Sequence, residues 1–593
     1  MTVYKVPQKE FAFILDEIVG YEEHCKMPGF EDASRDVIDA ILPEAAKFFE
    51  DVVAPTNYLA DSQGTQLIDG VVQTAAAFEG VYQQMIDGGW CCLNGSTEYG
   101  GAGLPGVIDV ASQEMLQSSN SALSLLPMLS RGVIHALNLY GSDEQKNTYL
   151  ENIITGVWSG TMNLTEPQAG TDLSAVQTKA TPDGDHFLIS GQKIYITWGD
   201  HELAENVIHL VLARIPGAPE GNNGISLFLV PKYLPNADGT IGRANDVRAV
   251  GIEHKLGIHA SPTCTMAFGD NGGAIGYLVG PENRGLMCMF SMMNNARLAV
   301  GHQGIGLGER AYQQAAAFAA DRVQGRVAGM PEGAPIIHHP DVKRMLMQMR
   351  ALTEGGRALS FYAVAAEDRS HHHSDAQQRE RGALWVEMLT PLVKGWCSEV
   401  SMEVASLGVQ VHGGMGFVEE TGAAQHMRDA RIFPIYEGTN GIQALDFIGR
   451  KCLRDGGEGL SLLLLEIDST IATLTSKSPA IIRLRTALEG SVTDCRAAMA
   501  QVLANPDDAP AVAYSYLMLF GNALCFWLLV VLAAAAQRRI DEGATDRFYS
   551  QKIATASFFG SQVLSRNQGL LQAVYDGSAS LDLIDAGDLV SAL

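Results

Sequence analysis

The sequence predicts an α+β chain that runs as helices, then strands, then helices to its end. Three observations predict this. Apolar residues recur at helix spacing from about Asp32 to Gly160, as in Val37, Ile38, Ile41 and Leu42 and again from Leu116 to Leu139. Short β-branched and aromatic runs bounded by Gly, Pro, Asn and Asp then fill residues 161–285. After Pro281-Glu-Asn-Arg-Gly285 the helical period returns and persists.

Taken in order, residues 1–33 are a short extension whose Tyr4, Pro7, Phe11, Phe13 and Leu15 suit an arm laid on the body. Residues 34–160 form a helical N-terminal domain, interrupted by the loop Tyr99-Gly-Gly-Ala-Gly-Leu-Pro105. Residues 161–285 are a central β-barrel or sandwich, with runs at 178–181, 187–190, 193–197, 207–213, 224–230 and 264–268. Residues 286–450 are long amphipathic helices separated by a polar loop holding His371, His372 and His373. That triplet is expected to be a solvated loop without metal, because no ligand-spaced carboxylate or cysteine motif accompanies it. Residues 451–593 form an appended helical domain.

At 593 residues and 47% apolar composition the chain is a multidomain globular protein. Its net charge of −26 repels phosphate backbones, which argues against nucleic acid. Nine cysteines without a CxxC pair point to a reducing compartment, and the N-terminus carries no apolar targeting run, so a cytoplasmic location is expected. The uncharged stretch 511–537 has the length of a membrane span, yet Tyr514, Ser515, Tyr516, Gly521 and Asn522 interrupt it. We expect a buried core helix there, with no stable membrane insertion. No Walker or GxGxxG element marks an ATP or NAD site.

Chemistry concentrates in Arg431-Ile-Phe-Pro-Ile-Tyr-Glu437-Gly438-Thr439-Asn440-Gly441-Ile-Gln443. An extended, proline-constrained lead-in is expected to present Glu437, with Gly438 clearing space beside it and Thr439 or Asn440 capping the next helix. Apolar neighbours would raise the carboxylate's pKa and suit it to act as a base; a glutamate that merely favours the helix dipole is the alternative. Upstream, Met162-Asn-Leu164-Thr165-Glu166-Pro167-Gln-Ala-Gly170-Thr171-Asp172 offers hydroxyls and backbone N–H groups to a flat polar ligand. The strand Gln192-Lys-Ile-Tyr195-Ile196-Thr197-Trp198 suits a wall for a ring system. Gln410-Val-His-Gly413-Gly414-Met-Gly-Phe417 can bring bare backbone to a pyrophosphate, and Arg322 a guanidinium. Ordinary turns and a surface Arg–Asp pair remain the plain alternatives for these segments.

In this order the motifs resemble the acyl-CoA dehydrogenase family over about residues 34–450. The resemblance implies a helical N-terminal domain, a central β-barrel domain and a C-terminal four-helix bundle, with FAD held between the β-domain and the bundle across a subunit boundary, hence a homodimer. It implies Glu437 as catalytic base, Ala296 standing where some relatives carry a base. It implies cofactor contacts from Leu164, Thr165, Thr171, Tyr195, Ile196, Thr197 and Thr439, with Arg322, Gln410, Gly413 and Gly414 reaching a neighbouring subunit's FAD. Arg297 and Gly438 would line the substrate site. Gly441 stands where a glutamine is common, for which Asn440 or Gln443 can substitute. The implied reaction is α,β-dehydrogenation of an acyl-CoA to a trans-2-enoyl-CoA, with electron-transfer flavoprotein as acceptor.

Tyr4-Lys-Val-Pro7, Ile337-His-His-Pro340, Leu389-Thr-Pro391-Leu-Val-Lys394 and the appended domain resemble a long subgroup that acts on a short thioether acyl-CoA or on straight-chain acyl-CoAs. Met287, Met289, Met292 and Met293 line a thioether pocket or, more simply, pack a bundle. An acyl-CoA oxidase, a DNA-associated flavoprotein and a helical membrane protein are the competing classes; the charge opposes the second, and the third leaves the ordered motifs unexplained.

Overall fold

The computed structural model describes residues 4–236 and 238–591. The chain forms two compact units, residues 4–6 with 37–299 and residues 7–36 with 300–591.

The first unit joins helices to an eight-stranded sheet and two small two-stranded sheets. The strands of the large sheet lie in the order Val247–Ile252, Thr263–Phe268, His186–Thr197, Ala274–Val279, Ser226–Pro231, Asn206–Ala213 and Trp158–Asn163, and Lys179–Asp183 pairs onto His186–Thr197. Every pairing is antiparallel except that of Trp158–Asn163 with Asn206–Ala213. All eight residues of Asn206–Ala213 are buried, which explains why it reads as an unbroken apolar run rather than an alternating one. Its side chains still alternate. Ile208, Leu210 and Leu212 enter one core with Leu129, Val133 and Leu137 of the Ser121–Tyr140 helix, whereas Val211 and Ala213 enter a second core with Ile189, Ile196 and Phe268. Ser226–Pro231 repeats the division, Leu227 and Leu229 against Phe228 and Val230. Gly160 lets the first strand meet that helix: a Cβ there would lie 2.6 Å from Val133.

The second unit is helical. Its main helices are Pro340–His372, Ala376–His412, Ala423–Ala430 and Asn440–Ile448, then Glu458–Thr473, Pro479–Ala504, Ala509–Asp541, Arg547–Phe558 and Asn567–Asp576; Gly285–Asp321 continues into it from the first unit. The uncharged stretch lies on Ala509–Asp541, which packs against helices on both sides of residue 450. By length and composition this helix matches a membrane span, but 89% of its most apolar window is buried inside the protein. Asn522, which breaks its apolar run, is bonded: Trp396 Nε1 donates to Asn522 Oδ1 (2.8 Å), and Asn522 Nδ2 donates to Asn567 Oδ1 (2.9 Å).

Residues 7–36 pack within the helical unit. They include the helix Gln8–Ile14, with Phe11 and Ile14 fully buried, and Glu10 bonds Lys552. The histidine triplet also differs from the loop expected, since His371 and His372 form the last turn of Pro340–His372. The His372 ring meets Phe30 at 4.3 Å and its Nδ1 lies 3.0 Å from Pro28 O, so a neighbouring segment captures it. Among the described residues no group of three or more His, Cys, Asp or Glu is arranged to hold a metal.

Candidate functional site

In the first unit the structure brings two of the sequence motifs together. The Ile194 N–H donates to Thr165 O (2.9 Å), Lys193 Nζ to Leu164 O (3.0 Å), and Thr161 Oγ1 to Thr197 O (2.8 Å). The register of His186–Thr197 against Thr263–Phe268 slips between Ile196 and Lys193, and Tyr195 in that slip has φ +59°. Such a bulge re-aims side chains, and Tyr195 is exposed while Ile196 packs in the second core. What Ile196 offers a ligand is therefore backbone. The Thr165, Thr171 and Thr197 hydroxyls have no hydrogen-bond partner among the described residues, so this donor set fits a flat, hydrogen-bonding ring system.

Glu166 holds this wall in place. Its Oε1 accepts from Lys193 Nζ (2.7 Å), Thr178 N (3.1 Å) and Thr178 Oγ1 (2.6 Å), and its Oε2 from Gln177 N (2.8 Å) and Gln168 Nε2 (2.6 Å). Burial opposes its ionisation, but Lys193 and these bonds outweigh it and hold the carboxyl below its ordinary range. Burial costs the ammonium more than Glu166 returns, and the Lys193 pKa falls to about 8. Arg297, also in this unit, is buried and its guanidinium donates to Asn294 Oδ1 (3.1 Å). Met289 and Met292 are fully buried in the core with Leu129 and Trp158, so packing accounts for them.

In the second unit Glu437 stands on a tight turn, which corrects the extended lead-in. The Ile435 and Tyr436 N–H groups both donate to Ile432 O (2.9 and 3.1 Å), and the Asn440 N–H to Pro434 O (2.9 Å). Tertiary packing overrides the bias of Pro434 toward an extended Phe433: Phe433 is fully buried, its ring stacked with Tyr436 at 6.2 Å. Glu437 is half-buried with φ +56°, and Gly438 follows at φ +89°. A non-glycine residue in that region marks strain held by its surroundings. Thr439 caps Asn440–Ile448 by accepting from Ile442 N–H (3.4 Å). Tyr436 Oη bonds Gln303, and burial raises its pKa with the Glu437 charge adding to the effect.

Lys394, fully buried on Ala376–His412, donates to Gly438 O (2.7 Å) and Asn440 Oδ1 (3.0 Å). Sequence reasoning cited Lys394 only within a subgroup phrase and missed Gln303, Ser398 and Glu399 in this cluster. The available signal was a lone cation in the otherwise apolar Leu389–Cys397 stretch. The Asn440 side chain is taken up here, so Gln443 stands closer to the substitute expected for Gly441. It donates toward Glu437 O (3.4 Å), and its buried Oε1 has no partner among the described residues.

The helix that leads to Arg322 meets the Gln410–Gly414 segment through an aromatic contact. Phe318, one turn before Arg322, stacks on His412 at 4.4 Å, immediately before Gly413. Arg322 is exposed, and its guanidinium reaches only Gln324 Oε1 (3.5 Å) among the described residues. Gln410, Gly413 and Gly414 are exposed, and Gly413 has φ +61°.

Four family models match the chain: "Acyl-CoA dehydrogenase, N-terminal domain" at residues 38–157, "middle domain" at 161–271, "C-terminal domain" at 283–453, and "Acetyl-CoA dehydrogenase C-terminal like" at 463–584. The chain is 45% identical to a 3-methylmercaptopropionyl-CoA dehydrogenase of Ruegeria pomeroyi, covering 95% of this chain and 96% of that one. It is 34% identical to a butyryl-CoA dehydrogenase of Syntrophomonas wolfei, over 96% and 97%. Among solved structures, ACDH-11 of Caenorhabditis elegans in complex with C11-CoA shares the fold, with TM-score 0.76 at 20% identity over 93% of this chain and 91% of that one. A structure described as an electron transferring flavoprotein of Acidaminococcus fermentans matches with TM-score 0.59 at 28% identity, over 71% of this chain and 99% of that one.

Proposed function

The chain belongs to the acyl-CoA dehydrogenase family, and from that premise we propose that it oxidises 3-methylmercaptopropionyl-CoA to methylthioacryloyl-CoA, with Glu437 as the base. The reaction class, FAD-dependent dehydrogenation of an acyl-CoA thioester, is that of the family. The single observation that carries the base assignment is the Glu437 turn: a half-buried carboxylate on strained backbone, clamped by a buried lysine.

Glu437 takes the α-proton of the thioester, whose carbonyl is polarised by the Glu437 backbone N–H. FAD, when bound, accepts the β-hydride. Thr165, Thr171 and Thr197 hydrogen-bond the flavin end, Tyr195 and the Ile196 backbone form its wall, and Leu164 and Thr439 flank it. Arg322, Gln410, Gly413 and Gly414 serve the adenosine diphosphate end of a partner subunit's cofactor, which makes the enzyme a homodimer. Arg297 and Gly438 border the acyl chain. Electron-transfer flavoprotein is the acceptor; the similarity to an electron transferring flavoprotein structure supports this partner. All nine cysteines are free and eight are buried, which supports a cytoplasmic location.

The relatives support the thioether substrate over butyryl-CoA by their identities, 45% against 34%. Anaerobic titration with 3-methylmercaptopropionyl-, butyryl-, octanoyl- and palmitoyl-CoA, followed by loss of flavin absorbance, tests it. Preferential bleaching by the thioether ester is expected, and bleaching by longer chains alone rejects the substrate. Glu437→Gln is expected to lose about 10²–10⁴-fold in turnover with FAD retained; normal turnover rejects the base. Hydrogen peroxide made without added acceptor would identify an oxidase instead.

A further inference from the structure

We propose that Lys394 is a positioning residue for the catalytic step: it holds the Glu437–Gly438 turn in its left-handed form and sets the carboxylate of Glu437 toward its proton. The proposal rests on the assignment of Glu437 as base.

Two consecutive residues of this turn have positive φ, and the first carries a side chain. Left alone, a glutamate leaves that region for extended or right-handed backbone, carrying its carboxylate with it. What prevents this is a set of bonds converging from the Ala376–His412 helix. Lys394 Nζ holds Gly438 O at 2.7 Å and Asn440 Oδ1 at 3.0 Å. Asn440 is itself fixed: its Nδ2 donates to Glu399 Oε2 (2.8 Å) and Gly395 O (3.2 Å), and its Oδ1 also accepts from Ser398 Oγ (3.0 Å). The ammonium thus ties the carbonyl one peptide after Glu437 to a side chain that is bonded from three directions.

Packing alone does not explain this lysine. A residue with no exposed surface, between Val393 and Gly395 and one turn before Ser398, is filled more cheaply by methionine. Only a long cationic donor spans from the helix to two acceptors.

Lys394→Met and Asn440→Ala, purified with FAD, are compared with wild type and Glu437→Gln. Two readouts are used: kcat and KM for the acyl-CoA, and deuterium exchange into acetyl-CoA. Acetyl-CoA has α-hydrogens but no β-carbon to oxidise, so exchange reports the base alone. Lys394→Met is expected to lose about 10–100-fold in kcat and in exchange, with KM within about threefold. Asn440→Ala, which keeps the ammonium on Gly438 O but frees its anchor, should lose less, and it decides the matter if Lys394→Met does not fold. Wild-type kcat and exchange in whichever variant folds overturn the positioning role, provided Glu437→Gln is inactive. Full exchange in Glu437→Gln overturns the base assignment instead.

Discussion

Replacing Glu166 with glutamine should destabilise the sheet unit by about 3–5 kcal/mol, the usual effect of removing one partner from a buried ion pair. The carboxylate is 4% exposed and accepts from five donors. An amide group on the Oε2 side turns toward Gln177 N–H and Gln168 Nε2, losing two bonds; on the Oε1 side it meets three donors, so the first placement wins. Each bond to a charged acceptor contributes about 1.5–3 kcal/mol, and Lys193 keeps an oxygen but loses the charge. The amine has one way to limit the damage, which is to become neutral. Its folded pKa, about 8, already lies below the unfolded value near 10.5. The folded wild type therefore binds fewer protons than the unfolded chain between those values, and stability rises with pH across that window. In Glu166→Gln the window should open at lower pH, so the gap to wild type narrows as pH rises toward 8, stays constant above it, and is smaller at pH 9.5 than at pH 6.5. Urea unfolding of the FAD-loaded proteins at pH 6.5 and 9.5, followed by tryptophan fluorescence and flavin release, measures both. A difference under about 1 kcal/mol at pH 6.5, or a gap unchanged by pH, refutes the argument. Early flavin release is expected too, because Lys193 fixes Leu164 O.

Burial holds His201, His209 and His302 neutral, each with its pKa drawn down to about 3. Their unfolded pKa near 6.5 is higher, so the unfolded chain takes up more protons in acid; stability is intact above pH 6.5 and falls by about 1.4 kcal/mol per pH unit per histidine toward pH 3. Melting between pH 7.5 and 4.5 should show a slope eased by one proton in His209→Gln, and an unchanged slope counts against it. Lys552 bonds both Glu10 and Glu354 in the helical unit, so Lys552→Met should cost about 3–5 kcal/mol and expose residues 7–36 to proteolysis. Adding Glu10→Gln should recover part of this; wild-type protease resistance in the single variant contradicts the tether.

The strands legible in sequence were those with dense β-branched residues between glycine or asparagine breaks, such as Asn206–Ala213. Trp158–Asn163, Val247–Ile252 and Ala274–Val279 were not seen. Trp158-Ser-Gly-Thr-Met-Asn163 has little β-propensity of its own, and burial of all six residues between a helix and a neighbouring strand holds it. Two runs separated by Gly191 and Gln192 proved to be one strand, His186–Thr197, because a neighbouring strand bridges the break. The Glu437 turn was legible as a motif but not as a conformation, since Pro434 argues locally for extension and the burial of Phe433 overrules it.

The sequence by itself determined the family and the order of helical and β regions, and it singled out the glutamate proposed as the base, because these reside in local periodicity and in co-linear motifs. Only the tertiary structure decided what holds them. Lys394 lies 44 residues before the carbonyl it grips, Glu166 lies 27 before its lysine, and Glu10 lies 542 before Lys552. A buried charge is stable only beside its partner, and partners that far apart are chosen by packing, which no local pattern records.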